Sequence, residues 1–264
     1  MFGIKTWIKR AIKNSLQSYR NKHKTIYKKK CACCGNRFRE YLRISNYYSE
    51  QVKKYGRISN GKSEMLNKEE YLCPCCGASD RDRAYAVYMK KALDRDKDYN
   101  ILDFAPASGL SDFIRRRFPK SNYKTADISG NGVDFALDIM YMGGLKDDCI
   151  DFFICSHVLE HVRDDIQAMK ELRRILKKGG KGICVVPIDL ECSEIDEDPD
   201  CIDVGERWRR FGQNDHVRKY SKKGFIDRLR SVGFDVLEYN NKYFTKKEMF
   251  ENGLMTTSTL YIVS

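Results

Sequence analysis

Residues 101–110 have the sequence ILDFAPASGL: an apolar strand that ends at an acidic residue, a turn of small residues and the start of a helix. Loops that hold dinucleotides in this context use two or three glycines, because the pyrophosphate packs against the backbone at a helix N-terminus. This loop has one glycine, Gly109, and its other small residues are Ala105, Ala107 and Ser108. It therefore favours a nucleoside cofactor without a phosphate over a dinucleotide.

The chain after residue 100 alternates strand and helix patterns. Apolar runs recur near 100–105, 122–126, 150–155 and 182–187. Helices are predicted over 79–95 and 163–177, a turn at Gly179 and Gly180 precedes the run at 182–187, and the last strands are predicted at 233–239 and 258–264. This order predicts an α/β fold, with a parallel sheet covered by helices on both faces.

The composition indicates a reducing compartment. The 264 residues are enough for one mid-sized domain and an appendage. No apolar run approaches the roughly 18 residues of a membrane span, and the N-terminus lacks the apolar core of a secretory signal. Eleven cysteines without such a signal indicate thiols that bind metal rather than pair, so we expect a cytoplasmic protein.

The positive charge is concentrated at the N-terminus. Basic and acidic residues number ten and none in 1–30, fourteen and ten in 31–99, and 25 and 27 in 100–264. Residues 1–26 have the pattern of a basic amphipathic helix, whose apolar stripe includes Ile4, Ile8, Ile12 and Leu16. Such a helix either contacts an anionic surface at the inner face of the membrane through residues 1–20 or packs on protein. The near-neutral remainder makes nucleic acid a less favoured partner.

Two cysteine motifs, CACCG at 31–35 and CPCCG at 73–77, predict a metal-binding module over residues 27–80. In each motif the C-x-x-C spacing lets a tight turn aim two thiolates at one ion, and the glycine lets backbone amides approach sulfur. The predicted ligands are those of a structural zinc site: Cys31, Cys34, Cys73 and Cys76. Cys33 and Cys75 compete as ligands, and an iron–sulfur cluster or a redox pair are the other interpretations.

The residues beyond the loop suit a nucleoside. Asp127 ends the second strand about twenty residues further on, where a carboxylate accepts both ribose hydroxyls. Asp138 is placed to take an adenine amino group, with Ile139 against the ring. Ser156 and His157 follow the strand at 150–155 and open towards the same site.

In this order the segments resemble the class I S-adenosylmethionine-dependent methyltransferases, and HVLEH (157–161) and LKKGG (176–180) resemble their type-11 group. Together with CPCCGASDRDR, VPID and FGQNDHVRKY, they resemble a bacterial subgroup with an N-terminal cysteine-knuckle module. The resemblance covers about residues 98–264. It departs from that subgroup at Asp82, where histidine is expected between two arginines, and at Ala107, where an acid is frequent.

The resemblance implies a Rossmann-like sheet of seven strands, mostly parallel with the last strand antiparallel, in a methyltransferase domain over residues 81–264. It also implies S-adenosylmethionine as the cofactor. The expected cofactor contacts are Asp103, Phe104, Ala105, Pro106, Gly109, Asp127, Asp138, Ile139, Ser156 and His157.

The motif HVLEH also matches an inverted zinc-protease motif, in which His157 and His161 share a helix face and bind metal. We favour the methyltransferase interpretation, because the motif directly follows a core strand at the cofactor edge. On that interpretation His161 is a hydrogen-bonded structural residue.

Methyl transfer to a hydroxyl or amine needs alignment and removal of a proton. His216, in FGQNDHVRKY, is the first candidate for the base and His157 the second. Alternatively Gln213, Asp215, His216 and Arg218 pin a lid by hydrogen bonds. The loop at 191–206 carries eight carboxylates, and we expect it to be solvated and to repel a nucleic-acid backbone.

Three functional hypotheses follow. The first is a cytoplasmic methyltransferase that acts on a hydroxyl of a small or glycan-like acceptor, and the resemblance suggests surface-polysaccharide biosynthesis. The second is an rRNA or tRNA methyltransferase whose zinc module grips RNA. The third is a zinc-ribbon interaction protein with a vestigial methyltransferase domain.

Overall fold

The structure is a computed structural model that describes residues 27–56 and 61–264. The predicted leader helix of residues 1–26 lies outside the described residues. Strands β1 to β11 are, in chain order, Lys29–Lys30, Arg37–Phe38, Asn100–Phe104, Asn122–Asp127, Phe135–Ala136, Ile150–Ser156, Leu176–Val185, Asp196–Glu197, Arg218–Lys219, Val236–Tyr239 and Leu260–Val263. The described helices, α1 to α7, are Tyr47–Tyr55, Asp80–Ala92, Ser108–Arg117, Asp165–Ile175, Val204–Phe211, Lys222–Ser231 and Lys246–Asn252. None of these helices is both long enough and apolar enough to cross a membrane.

The central sheet has seven strands in the order β10-β11-β7-β6-β3-β4-β5. Six strands run in the same direction, and β11 is antiparallel to both of its neighbours. The predicted Rossmann-like sheet with an antiparallel last strand is therefore confirmed.

The register of the sheet aligns the carboxyl ends of three neighbouring strands. Phe104 of β3 pairs with Ala126 of β4 and with Cys155 of β6. The next residues along each strand, Ala105, Asp127 and Ser156, therefore start from the same level of the sheet. In open α/β sheets, ligands bind at this edge.

Helix α2 connects the cysteine module to the sheet. Ser79 and Asp82 form a capping box at its start, in which each side chain accepts a hydrogen bond from the other residue's backbone amide. Asp82 thus has a local role at the position where the resemblance predicts histidine.

Arg83, on the next turn of α2, is fully buried, and its guanidinium lies 3.7 Å from the centre of the Tyr41 ring. It donates hydrogen bonds to the backbone carbonyls of Glu70, Tyr71, Ala78 and Asn252. Each of these bonds satisfies a charged donor that would otherwise be costly to bury. Arg83 therefore joins the cysteine module to the C-terminal helix α7, and the apolar residues of both share one core with α2.

One local prediction was wrong. Gly179 and Gly180 do not form a turn before the fifth strand, because β7 already begins at Leu176 and the glycines lie in an irregularity opposite Ile150–Phe152. Residues 157–163 form turns, so His157 and His161 do not share the helix face that the alternative zinc-protease interpretation requires. Helix α1 lies within the predicted cysteine module, and none of its side chains is fully buried.

Candidate functional site

The two cysteine motifs form matching turns. In each, the first cysteine's carbonyl accepts a hydrogen bond from the glycine amide, and Gly35 and Gly77 have φ of 76° and 73°, which favours glycine. The thiol sulfurs of Cys31, Cys34, Cys73 and Cys76 all lie within 4.8 Å of one another.

The sulfur geometry fits one tetrahedral ion. The Sγ atoms of Cys31 and Cys76 are 3.8 Å apart, as are those of Cys34 and Cys73. Four thiolates about 2.3 Å from a zinc ion in a tetrahedron are also about 3.8 Å apart. Cys33 lies outside this group, because its thiol is directed to the carbonyl of Asp82, and burial raises the pKa of that thiol. The donor set and its spacing therefore suit a structural four-cysteine site.

A cavity of about 300 Å³ lies at the carboxyl edge of β3 and β6. Five of the predicted cofactor contacts line this cavity: Asp103, Phe104, Ala105, Ser156 and His157. His157 is also the second candidate for the base. Eight further residues complete the lining. In chain order the lining residues are Tyr71, Ser79, Arg81, Asp82, Tyr85, Asp103, Phe104, Ala105, Ala107, Leu110, Ile154, Ser156 and His157.

The loop after β3 is held in a tight left-handed turn. Ala105 has φ of 50°, a conformation that costs an L-residue roughly 1–2 kcal/mol, and its amide donates to the carbonyl of Ala126. His157, at the same edge after β6, has φ of 55°. The small side chain of Ala105 keeps this left-handed turn open to the cavity.

Gly109 does not line the cavity. A Cβ atom at this position would lie 2.9 Å from the carbonyl oxygen of Cys76 and 3.1 Å from the Cβ of Ala78. The one glycine of the loop therefore serves the close packing of α3 against the second cysteine turn. Pro106 is also outside the lining residues.

Asp103 supplies a buried carboxyl at the floor of the cavity. Burial raises its pKa to about 7, although the hydroxyl of Tyr123 donates a 2.7 Å hydrogen bond that favours the charged form. The same hydroxyl lies 2.9 Å from Ser111 on α3. Asp103 is therefore fixed in place and can change its protonation state near neutral pH.

Arg81 is a lining residue whose role the sequence left open. Its Nε is buried without a hydrogen-bond partner among the described residues. No described carboxylate forms an ion pair with it, whereas the neighbouring Arg83 is fully satisfied. A guanidinium that lines a cavity and has a buried nitrogen without a hydrogen-bond partner is suited to bind an anionic group of a ligand. Arg81 and Arg83 are two residues apart on α2 and therefore lie on different sides of the helix. This spacing is the sequence signal that could have distinguished their roles.

The predicted nucleoside contacts Asp127, Asp138 and Ile139 lie beside the cavity rather than in its lining. The Asp127 carboxylate accepts from the amide of Ser129, and that of Asp138 accepts from the amide of Met140, so both acids shape turns at the end of β4 and after β5. Ile139 is buried. Next to Asp127, the side chain of Ile128 is 76% exposed, which leaves an apolar surface at this edge.

His216 and the turn after β6 form a separate cluster behind His157. Glu160 is fully buried, and its Oε1 lies 3.1 Å from Nδ1 of His157, 3.8 Å from Nε2 of His161 and 3.9 Å from Nε2 of His216. Burial favours the protonated form of Glu160, but the surrounding imidazoles lower its pKa. Burial also lowers the pKa of His157 and of His216. His216 is only 3% exposed and does not line the cavity. An acceptor bound in the cavity therefore does not reach this predicted base.

The acidic loop is not simply solvated, as the sequence suggested. Asp196 and Asp198 pair with Arg210, and Glu197 pairs with Arg218 and Arg228. The strand pair β8 and β9 places these charges side by side. The carboxylates therefore neutralise neighbouring arginines, and this reduces the repulsion that the sequence predicted.

Part of the chain is similar in sequence to curated proteins. Among curated proteins, the demethylmenaquinone methyltransferase of Bacillus velezensis is 22% identical over 152 residues, which are 56% of this chain and 58% of that protein. The corresponding enzyme of Staphylococcus carnosus is 25% identical over 146 residues, 55% of this chain and 54% of that protein. The chain thus spans less than two thirds of the length of these relatives.

Solved structures with a similar fold include an S-adenosylmethionine dependent methyltransferase from Mesorhizobium loti. It has a TM-score of 0.47 and 13% identity, and the match covers 68% of this chain and 97% of that chain. A second, from Archaeoglobus fulgidus, has a TM-score of 0.44 and 12% identity, over 70% of this chain and 93% of that chain. Because both TM-scores are below 0.5, the fold is assigned from the strand order of the central sheet and not from these structures.

The family model described as a methyltransferase domain matches residues 78–239. The match begins just before α2, ends at the last residue of β10, and includes every residue of the cavity lining except Tyr71. These 162 of 264 residues are more than half of the chain. The chain therefore belongs to the methyltransferase domain family, and its sheet has the class I topology.

Proposed function

We propose that the protein transfers a methyl group from S-adenosylmethionine to a hydroxyl of a small or glycan-like acceptor. The observation that carries this proposal is the cavity at the carboxyl ends of β3 and β6, which align in the sheet. The left-handed turn at Ala105 lies on one side of the cavity and His157 on the other. Such an edge suits a nucleoside sulfonium, because no pyrophosphate has to approach the backbone.

The methionyl part of the cofactor has two charged groups, and the cavity has partners for both. Arg81 would hold the carboxylate, because its guanidinium has a buried nitrogen without a described partner. Asp103 would accept from the ammonium group, and this favours the charged form of a carboxyl whose pKa burial raises to about 7. The hydroxyls of Tyr85 and Ser156, 2.8 Å apart, lie on the same wall.

The adenosine part extends from the cavity towards β4. Asp127 starts one strand away from Ala105 at the same level, so its carboxylate can accept from the ribose hydroxyls. Asp138 would accept from the adenine amino group, and the exposed apolar side chain of Ile128 would cover the ring together with Ile139.

When bound, the cofactor supplies an electrophilic methyl carbon on a sulfonium. The chain's residues then align the acceptor hydroxyl with that carbon and exclude water. His157 is the base that the geometry favours, since it lines the cavity and burial lowers its pKa, which keeps the imidazole neutral at pH 7. Its Nδ1 faces Glu160, so the acceptor proton would pass to Nε2.

The four-cysteine site is proposed to hold structural zinc, as in the subgroup with an N-terminal cysteine-knuckle module that the sequence resembles. With four thiolates the ion has no open position for chemistry. Its role is to fix the second cysteine turn, which packs against Gly109 of α3, and Tyr71, which lines the cavity.

Transfer of radiolabelled methyl from S-adenosylmethionine to separated acceptor fractions tests the proposal. The zinc-loaded full chain is incubated with sugar nucleotides and lipid-linked glycans in one set, and with rRNA and tRNA in another. The proposal predicts alkali-stable label, as expected for an ether, in a carbohydrate fraction and a strong reduction with Asp127→Ala. Label in RNA alone would establish the alternative substrate class.

A further inference from the structure

A second group of potential metal ligands lies behind the cofactor cavity, away from the four cysteines. One carboxylate oxygen of Glu160 and one ring nitrogen each of His161 and His216 lie within 4.8 Å of one another. The cluster combines two elements distant in sequence, the turn after β6 and the segment before β9. Imidazole and carboxylate together are the donor set preferred by zinc, iron, manganese and cobalt.

Two polar atoms of this cluster have no hydrogen-bond partner among the described residues, Oε2 of Glu160 and Nε2 of His216. The other oxygen of Glu160, Oε1, faces Nδ1 of His157 at 3.1 Å. Glu160 is fully buried and His216 is 3% exposed, so bulk water does not replace those partners. A buried carboxylate with one oxygen unpaired costs stability unless another group compensates its charge. A bound cation would satisfy both the carboxylate and the imidazole nitrogen.

The distances leave room for an ion. Oε1 of Glu160 lies 3.8 Å from Nε2 of His161 and 3.9 Å from Nε2 of His216. Ligand atoms about 2.0–2.1 Å from a tetrahedral ion are about 3.4 Å apart, so the side chains need to close by about half an ångström. The side chain of His161 is 33% exposed and provides the entry for an ion.

Asp215 and Arg218 lie next to this donor set. Oδ1 of Asp215 lies 3.6 Å from Nδ1 of His161 and is itself buried without a hydrogen-bond partner. When Nε2 of a histidine binds a metal, the other ring nitrogen commonly donates to a carboxylate. Arg218 fixes the turn from the other side, because it donates to the carbonyls of Leu159, Val162 and Arg163 at 2.6, 2.6 and 3.0 Å.

We propose that Glu160, His161 and His216 bind a divalent first-row transition-metal ion, with Asp215 as the carboxylate partner of His161. Three protein ligands leave at least one coordination position for water. In this arrangement His216 is a metal ligand rather than the general base that the sequence suggested. The site is separate from the cysteine site, and it shares Glu160 with His157, the base of the proposed methyl transfer.

A titration with Co²⁺ tests the proposal. The full chain, with zinc retained at the cysteines and weakly held ions removed by mild chelation, is titrated and its visible spectrum recorded. We expect weak ligand-field bands that saturate at one Co²⁺ per chain, without the intense sulfur charge-transfer bands of a cysteine site. Bands that do not saturate below millimolar Co²⁺ would overturn the proposal.

Matched variants assign the ligands. Glu160→Gln and His161→Asn should each abolish the saturable bands, and Asp215→Asn should weaken binding about 10- to 100-fold. Glu194→Gln, an exposed carboxylate in the acidic loop, should leave binding unchanged. Saturable binding that survives both Glu160→Gln and His161→Asn would place the ion elsewhere and refute the assignment.

Thermal unfolding provides a second measurement on the same variants. The wild type should melt at a higher temperature with Co²⁺ than without it, because an ion that binds only the folded state stabilises it. Glu160→Gln should show no such shift, and without added metal it should be at least as stable as the wild type. A Glu160→Gln variant that is strongly destabilised without metal would instead show a structural hydrogen-bonding role for Glu160.

Discussion

Replacement of Arg81 by glutamine tests the orientation of the cofactor in the cavity. The guanidinium lines the cavity and has a buried nitrogen without a described partner, and we have assigned it to the methionyl carboxylate. A hydrogen bond to a charged group contributes about 1.5–3 kcal/mol, so Arg81→Gln should weaken binding roughly 10- to 150-fold. Because the assignment concerns the carboxylate alone, the loss should depend on whether the ligand has that group.

Calorimetry with two ligands measures this dependence. S-adenosylhomocysteine carries the amino-acid part, whereas 5′-methylthioadenosine lacks it. Arg81→Gln should weaken the first ligand by the stated factor and change the second by less than about twofold. Arg95→Gln, an exposed arginine just beyond α2, is the matched control and should affect neither ligand. Equal losses for both ligands, or no loss for either, would refute the placement of the carboxylate at Arg81.

Three further predictions concern the framework of the site. Gly109→Ala should lower the free energy of unfolding, measured by urea titration, by about 1–3 kcal/mol, because the new Cβ meets the Cys76 carbonyl oxygen at 2.9 Å. Gly143→Ala is the control and should be nearly neutral, because a Cβ there meets no atom within 4 Å. Burial raises the pKa of Asp103 from 3.8 to about 7, so its contribution to stability is full below about pH 4 and is lost as the pH rises to about 7. In denaturant titrations, Asp103→Asn should therefore gain stability relative to the wild type over this range, by up to about 4 kcal/mol, and a constant difference would contradict the assigned pKa. Cys73→Ser, or removal of zinc with a strong chelator, should lower the melting temperature. Either change should also weaken binding of S-adenosylhomocysteine, because the second cysteine turn packs against α3. An unchanged melting temperature would show that no metal supports this module.

The fold could be predicted from the sequence because its strands are short apolar runs separated by helical patterns. ILDF, YKTAD and the run before Ser156 became adjacent parallel strands, and their ends align at the cofactor edge. The clustering of Cys31, Cys34, Cys73 and Cys76 could also be predicted, since the C-x-x-C spacing allows few geometries. The start of β7 could not be predicted from its glycines, because a bulge inside a strand and a turn before a strand have the same local composition.

The site was harder to predict, because its key features depend on contacts between distant segments. Arg81 and Arg83 are two residues apart on α2, yet one faces the cavity and the other donates to four carbonyls of the module and of α7. The position of Gly109 suggested a cofactor contact, but its neighbour is the carbonyl of Cys76, 33 residues earlier in the chain. The histidine cluster likewise depends on Arg218, which fixes the turn after β6 in a form that local propensity does not specify.

Calorimetric titration of the zinc-loaded chain with S-adenosylmethionine tests whether the chain binds the proposed cofactor. We expect micromolar binding to the wild type and a loss of about ten- to a hundred-fold with Asp127→Ala, because that carboxylate would accept from the ribose hydroxyls. A folded, zinc-loaded wild type that does not bind S-adenosylmethionine would contradict the proposed methyl transfer.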